Sequence, residues 1–222
     1  MVLGNFTDPY SFIEAYLYDT FIAPALTDHV DRVSSRIADL ENGSAAVLDV
    51  GCGGGQNAVE LLKRLPAIDL TGVDLSESQV DRATGRNRDF HSRSRFVQGN
   101  ALDLPFDDAT FDIVYSIASI KHWPDQKRGL AECLRVLIPG GRLFILEADR
   151  AASWSDCRNF VKKWRLPFFT LPANLIFFKG VVAGNSLNRD EAEQLWKPLD
   201  LDQAEVEKLP GLPALLMSGV KR

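Results

Sequence analysis

Apolar and polar positions alternate with two different periods from residue 45 onward. Short apolar runs are typical of buried strands, and longer stretches with an apolar residue every three or four positions are typical of amphipathic helices. The runs predict strands over residues 45–50, 69–75, 95–99, 111–117 and 141–148. The stretches between them predict helices over residues 56–65, 76–90 and 124–137. Such alternation implies right-handed crossovers, so we expect an α/β fold with a doubly wound, mostly parallel sheet and helices on both faces.

The regular alternation ends near residue 150. Helices are predicted over residues 153–165 and 188–199, whereas the Phe-rich stretch 166–184 contains two prolines and therefore cannot form one regular helix. Residues 201–209 and 213–222 are predicted as strands that pair antiparallel across a Pro-Gly-Leu-Pro turn. We expect one domain over residues 1–222, divided into N-terminal helices (1–44), a core (45–150), a variable cap (151–200) and two end strands (201–222).

Composition restricts the functional classes. The chain has 222 residues, of which 45% are hydrophobic and 25% charged, and no apolar run reaches the length of a membrane span. Its N-terminus lacks the basic start and apolar core of a signal peptide, so we expect a cytoplasmic protein. Three cysteines without a CxxC pair predict neither a disulfide framework nor a cysteine metal site. A net charge of −5 disfavours nucleic-acid binding, and the histidines form no metal-ligand pattern.

The glycine-rich stretch VGCGGG, residues 50–55, lies between the first predicted strand and the first predicted helix. In open parallel sheets ligands bind beyond the carboxyl ends of the strands, and glycines allow the backbone to pass close beneath them. A dinucleotide site would place glycines at Gly51 and Gly53, Ala58 in the third position and the acid at Asp74. That imperfect match leaves an NAD(P)-dependent oxidoreductase open at this point.

Four motifs in unbroken order narrow the choice of ligand. VLDVGCGGG, GVDLSES, GNALDLPFDDATFDIVYS and LAECLRVLIPGGRLFILE span roughly residues 45–148. Together they resemble the class I S-adenosylmethionine-dependent methyltransferases of the small-molecule, UbiE-like group. The resemblance implies a Rossmann-like seven-stranded sheet with the last strand antiparallel, S-adenosylmethionine as cofactor, and methyl transfer to a small molecule. A non-catalytic S-adenosylmethionine-binding protein is the alternative within the same fold.

The resemblance also implies which residues hold the cofactor. Asp74 would accept hydrogen bonds from both ribose hydroxyls; it would otherwise cap the next helix, but Ser76 with Gln79 three positions later already matches a capping box. Asn100 stands where the family commonly has Asp and would accept from the adenine amino group. Asp49 either contacts the methionine part or anchors the glycine turn. The other predicted contacts are Gly51, Cys52, Gly53, Leu75, Ala101, Leu102, Ser116, Ile117 and Tyr18, with Tyr16 as the alternative to Tyr18.

The methyl acceptor is expected beside the residues that follow the fourth strand. His122 is the candidate base, although His122 and Trp123 equally suit the start of a helix. Glu147 or Asp149 would bind a substrate hydroxyl or amine unless they are solvated loop acids. Trp123 and Phe168 are further substrate candidates, and Phe168 belongs to an aromatic set that suits an apolar or aromatic acceptor: Phe160, Trp164, Phe168, Phe169, Phe177 and Phe178.

The same aromatic set also fits a cap core or a peripheral contact with a membrane. We therefore expect a small-molecule substrate, no nucleic-acid partner, no stable membrane insertion, no metal, and either a monomer or a homodimer.

Overall fold

The predicted strands pair into one seven-stranded sheet. The computed structural model describes residues 18–38 and 45–222. The strands are β1 Ala45–Val50, β2 Ile68–Asp74, β3 Ser94–Gln98, β4 Phe111–Ile117, β5 Leu137–Ala148, β6 Leu201–Lys208 and β7 Ala214–Lys221. Their order is β3-β2-β1-β4-β5-β7-β6, and β7 runs antiparallel to both of its neighbours. The predicted doubly wound fold with an antiparallel last strand is confirmed.

Helices cover both faces of this sheet. They are α1 Thr27–Ala38, α2 Gln56–Arg64, α3 Glu77–Arg86, α4 Gln126–Val136, α5 Trp154–Val161, α6 Leu171–Phe177 and α7 Arg189–Trp196. Side chains of β1 alternate between the two layers, because successive residues of a strand point to opposite faces. Val47 belongs to an apolar cluster with residues of α1 and α2, whereas Leu48 and Val50 belong to a cluster that includes residues of α4 and α7. The alternation in the sequence therefore corresponds to two separate apolar cores.

Several boundaries differ from the predictions. β5 begins at Leu137 rather than at residue 141: Leu137 pairs with Phe111 and Arg142 with Ile113, so the turn-like Pro-Gly-Gly stretch lies inside the strand, at a register shift. The helix predicted over 76–90 ends at Arg86, and a separate 3-10 turn, Arg88–Phe90, follows it. The second predicted N-terminal helix is confirmed as α1. The first is predicted over residues 11–26; residues 11–17 lie outside the described residues, and the described part forms a π-helical turn, Tyr18–Ile22, followed by a 3-10 turn, Ala23–Leu26, rather than a regular α-helix.

The Phe-rich stretch forms three short helical pieces. A 3-10 turn, Phe168–Thr170, leads into α6, and a π-helical turn, Phe178–Val182, follows. The buried rings of Phe160, Trp164 and Phe178 contact one another, with the Phe160 and Phe178 centroids 5.0 Å apart. They form a third apolar cluster beyond the carboxyl end of the sheet. Within the described part of the chain, no helix is both long and apolar enough to cross a membrane.

Candidate active site

A cavity of about 310 Å³ opens beyond the carboxyl ends of β1, β2 and β4. The connection order of the sheet reverses between β1 and β4, so the cavity occupies the topological switch point. Most of the predicted site residues line it. They are Gly51, Cys52, Gly53, Asp74, Leu75, Asn100, Ala101, Leu102, Ile117, His122, Trp123 and Glu147. The folded chain thus brings together residues that lie up to about a hundred positions apart in the sequence.

The glycine turn forms one wall of the cavity. Gly51 adopts a φ of +77°, and a Cβ there would lie only 1.9 Å from the Ser119 Oγ, so both the backbone and the space require glycine. Gly53 has a φ of +51°, and a Cβ there would meet no protein atom within 4 Å. Since Gly53 also lines the cavity, its missing side chain leaves backbone exposed to a ligand.

Asp74 connects the glycine turn to the start of α3. Its Oδ2 accepts a hydrogen bond from the Gly53 N–H at 2.9 Å, and its Oδ1 accepts one from the Ser76 N–H at 3.0 Å. Burial raises the pKa of Asp74, and these two N–H donors oppose that rise. Each carboxylate oxygen keeps a second lone pair, so Asp74 still has acceptor capacity for two hydroxyls. Its position and chemistry fit the ribose of S-adenosylmethionine.

Gln79, which was predicted to be part of a helix capping box, lines the cavity. The predicted capping box is wrong, because the Ser76 side chain makes no capping bond and its Oγ instead pairs with the Ser78 Oγ. Gln79 is 8% exposed, lines the cavity beside Asp74, and has a buried Oε1 without a hydrogen-bond partner. A buried, unpaired amide oxygen is costly, so this atom is suited to accept from a bound ligand.

The residues predicted to contact adenine also line the cavity. Asn100 lines the cavity, and its Oδ1 accepts a hydrogen bond from the Leu102 N–H at 2.9 Å and retains a second lone pair for a ligand. Leu75 is 55% exposed although it is a large apolar residue, and it also lines the cavity. An exposed leucine beside polar acceptors matches a purine, which has flat apolar faces and a polar edge.

Two predicted cofactor contacts do not reach the cavity. Asp49 is 1% exposed and accepts a hydrogen bond from the Tyr115 hydroxyl at 2.9 Å, on the neighbouring strand. The Ser116 hydroxyl is buried and donates to the Val50 carbonyl at 2.7 Å. Both side chains therefore join β1 to β4, and neither is among the residues that line the cavity. These bonds give both residues a structural role, as the alternative for Asp49 had it, and their contact with a cofactor stays a prediction.

Three polar residues, Lys121, His122 and Glu147, also line the cavity, and we call them the polar strip. The Lys121 Nζ lies 2.8 Å from the Glu147 Oε1 and also donates to the Ala118 carbonyl. Glu147 is fully buried and accepts the Ala148 and Lys121 N–H groups as well, so the solvated-acid alternative is wrong for it. His122 lies in the 3-10 turn Ile120–His122 and lines the cavity next to this pair. Lys121 was not predicted as a site residue, although it stands next to the candidate base His122 in the sequence.

The remaining substrate candidates divide into two groups. Trp123 is buried, lines the cavity and donates from its Nε1 to the Ser119 Oγ at 3.1 Å. Phe168 is 88% exposed and does not line the cavity, so its assignment as a substrate contact is corrected. Asp149 is buried, accepts the Ala151 N–H and pairs with Lys208 outside the cavity. The side chain of Tyr18, and all of Tyr16, lie outside the described residues.

The apolar end of the cavity is built from the cap. Its walls include Phe160, Trp164, Phe177, Phe178 and Val181. Across residues 18–38 and 45–222, no group of three or more His, Cys, Asp or Glu side chains is arranged to hold a metal ion. Cys52, Cys133 and Cys157 are free and buried.

Comparison with known proteins identifies the domain. Residues 48–145 match a family model described as a methyltransferase domain. The 27-O-demethylrifamycin SV methyltransferase of Amycolatopsis mediterranei is 36% identical over 188 residues, which cover 81% of this chain and 64% of that protein. The demethylmenaquinone methyltransferase of Deinococcus radiodurans is 39% identical over 127 residues, 56% of this chain and 53% of that protein. The chain thus spans about half to two thirds of the length of these curated relatives.

Solved structures support the fold. A candidate S-adenosylmethionine-dependent methyltransferase from Methanococcus maripaludis superposes with a TM-score of 0.73 at 17% identity, covering 96% of this chain and 95% of that one. An S-adenosylmethionine-dependent methyltransferase from Aquifex aeolicus gives a TM-score of 0.62 at 13% identity, covering 88% and 98%. The comparisons give no support to the oxidoreductase alternative. Residues 48–145 of the chain therefore match the methyltransferase domain family.

Proposed function

We propose that the chain transfers a methyl group from S-adenosylmethionine to an apolar or aromatic small molecule. The observation that supports this most strongly is the single cavity that joins two chemically different ends. One end carries the glycine turn and Asp74, and the other carries the aromatic cap residues such as Trp164 and Phe178. A bound cofactor and an apolar acceptor would therefore meet inside one cavity, which favours alignment of the reacting groups and limits the access of water.

The polar end would bind and orient the cofactor. Asp74 would accept the two ribose hydroxyls, while Asn100 and Leu75 would contact the adenine edge and face. Gly51 and Gly53 would expose backbone to the methionine part. When bound, S-adenosylmethionine supplies a methyl group activated on a sulfonium sulfur.

The polar strip would orient the acceptor and accept its proton. His122 lines the cavity and would accept the acceptor's proton when the nucleophile is a hydroxyl or an amine. The Lys121 ammonium, fixed by Glu147, would orient an oxygen of the acceptor. Trp123 and the cap rings would hold the acceptor's apolar body.

The names of the relatives support a small-molecule acceptor but differ in its identity. They specify 27-O-demethylrifamycin SV, demethylmenaquinone and 2-methyl-6-phytyl-1,4-hydroquinone as the molecules that those enzymes methylate. We carry over only the class. The buried free cysteines are compatible with a reducing compartment, and we place the enzyme in the cytoplasm. A single domain over residues 1–222 and a monomeric or homodimeric state remain predictions.

Calorimetric titration with S-adenosylhomocysteine tests the proposal. The natural chain should bind it saturably, and Asp74→Asn should weaken binding about a hundredfold, since the ribose loses a charged acceptor worth about 1.5–3 kcal/mol per hydrogen bond. Asp69→Asn is the matched control, because Asp69 is an exposed carboxylate near the other end of the same strand. Absence of binding by the folded natural chain, or equal affinity in both variants, would contradict the proposal.

A further inference from the structure

The outer face of the cap segment 168–180 carries no polar side chain. Exposed positions recur there at intervals of four, as expected for one face of a helical ribbon. The residues at these positions are Phe168, Phe169, Pro172, Ala173, Ile176, Phe177 and Gly180. We call this set the outer cap face. The polar residues Thr170 and Asn174 lie off this face and are hydrogen-bonded to each other at 2.7 Å.

The exposure of the outer cap face is unusual for a protein surface. Phe168 is 88% exposed, Phe169 72%, Ile176 66% and Phe177 47%. The inner side of the same segment is apolar too, because Phe178 is buried in the third cluster and Leu171 and Leu175 pack against it. A helix that is apolar on all sides is normally covered on all sides, and a contiguous exposed apolar patch marks an interaction surface.

The segment of chain that contains this face carries charges of one sign. Residues 157–188 contain no aspartate or glutamate, in a chain whose net charge is −5. The basic residues in that range are Arg158, Lys162, Lys163, Arg165 and Lys179, and all but Lys179 are classed as exposed. Aromatic and aliphatic side chains combined with lysine and arginine are the composition of segments that lie in the interface of a bilayer and attract anionic lipids.

We propose that the outer cap face docks on the surface of a membrane that contains anionic lipids. Its apolar side chains enter the headgroup region, while the basic residues pair with lipid phosphates, and the two signals together give stable but reversible binding. Phe177 belongs to this face and also lines the cavity. Docking therefore brings the apolar end of the cavity to the bilayer. The next step rests on the function proposed above: an apolar acceptor passes from the lipid to the active site beside Phe177.

Vesicle flotation tests the docking without any methyl transfer. The natural chain should float with vesicles of phosphatidylcholine and phosphatidylglycerol, bind pure phosphatidylcholine at least about tenfold less, and lose binding as salt is raised. Lys162→Glu with Lys163→Glu should weaken binding about tenfold or more. Lys127→Glu with Arg128→Glu, exposed on α4 outside the basic stretch, is the matched control and should keep most of it. Equal loss in both pairs would overturn the proposal.

The apolar contribution needs its own variant and a folding control. Phe168→Ser with Phe169→Ser should abolish flotation, yet neither residue lines the cavity, so S-adenosylhomocysteine affinity should stay unchanged. Retained flotation in that variant would overturn the proposal. Because flotation and S-adenosylhomocysteine titration are separate readouts, failure of docking is distinguishable from failure of the proposed function.

A fluorescent label distinguishes a membrane from other occupants of the face. The natural cysteines are buried, so a Phe169→Cys variant can be labelled selectively with an environment-sensitive dye. The emission should be that of a water-exposed dye in buffer and shift to the blue only with anionic vesicles. Blue-shifted emission already in buffer would show that residues 1–17 or a second copy of the chain cover the face, and would overturn the proposal.

Discussion

At the residue scale, Gly53 separates the effect of backbone conformation from that of ligand space. Gly53 and Gly140 both have positive φ, +51° and +80°, and a Cβ at either would meet no protein atom within 4 Å. Alanine should therefore cost each variant about 1–2 kcal/mol of stability through its left-handed backbone. Only Gly53→Ala should also weaken S-adenosylhomocysteine binding, about tenfold or more, because only Gly53 lines the cavity. Urea unfolding and calorimetry measure the two effects, and equal affinities would contradict the assignment of the turn.

Asp49 predicts a specific dependence of stability on pH. Burial raises its pKa from 3.8 to about 7, while the hydrogen bond from Tyr115 opposes that rise. The folded chain thus binds the proton more tightly than the unfolded chain, so this group lowers the free energy of unfolding as pH rises from about 4 to about 7. A shift of this size corresponds to about 4 kcal/mol. Asp49→Asn should remove that fall in urea unfolding followed across this range.

The neighbouring hydroxyl provides the control for Asp49. Tyr115→Phe removes the donor that stabilises the Asp49 carboxylate, so the fall in unfolding free energy should become larger and extend to higher pH. In the double variant with Asp49→Asn the pH effect of Tyr115→Phe should disappear. A slope that survives Asp49→Asn would assign the effect to other groups.

Single residues also show how far sequence reasoning extends. The position of Asp74 at the cavity was predictable, because the apolar pattern places it at the end of a strand and the order of the motifs places that strand at the carboxyl edge of the site. Asp49 and Ser116 were not, because strand periodicity predicts the face of a side chain but not its partner, and here each partner lies on a strand more than sixty residues away. Gln79 fitted a local capping pattern, and its role at the cavity depends on a tertiary contact.

At the scale of elements, α3 and α4 predict opposite outcomes for the same substitution. Gly85 lies near the end of α3, and a Cβ there would meet nothing within 4 Å; Gly129 lies in α4, and a Cβ there would be 2.4 Å from the Trp123 ring. Gly85→Ala should therefore stabilise the chain by about 0.5–1 kcal/mol through helix propensity. Gly129→Ala should destabilise it by about 1–3 kcal/mol and displace Trp123 from the cavity wall.

Urea unfolding gives the two stability changes for α3 and α4. Tryptophan fluorescence should change for Gly129→Ala but not for Gly85→Ala. Of the two added Cβ atoms, only the one at Gly129 would meet a tryptophan ring. Stabilisation by both substitutions would show that α4 has room to move away from Trp123.

The elements were predicted more completely than their ends. Every strand from β1 to β7 was anticipated, because buried strands leave a strong apolar signal in the sequence. The errors lie where local signals conflict with pairing. The proline and glycines at 139–141 are typical of a turn, yet they lie within β5. Phe168 is a large apolar residue of the kind usually found in a core, yet it lies on the surface. Apolar composition predicts that a side chain is to be covered, but not what covers it.

At the scale of the whole molecule, the sheet order predicts where a bound cofactor acts. Connections run outward from β1 to β3 and then return to β4, which leaves a crevice between β1 and β4 at their carboxyl ends. Loops that follow β1, β2, β3 and β4 line this crevice, whereas β6 forms an edge of the sheet beyond β5 and β7. The order of motifs predicted this architecture, since alternating strands and helices admit few topologies.

Hydrogen exchange with S-adenosylhomocysteine tests that architecture directly. Among amides that exchange through local opening, those of residues 51–57, 74–79 and 99–102 should slow, because the ligand contacts their loops and closes them. Amides of β6 that exchange locally should keep their rates, as they lie beyond β7 from the cavity. Asp74→Asn at the same ligand concentration should lose most of the protection. Protection centred on the β6 edge would place the cofactor elsewhere and contradict binding at the switch point.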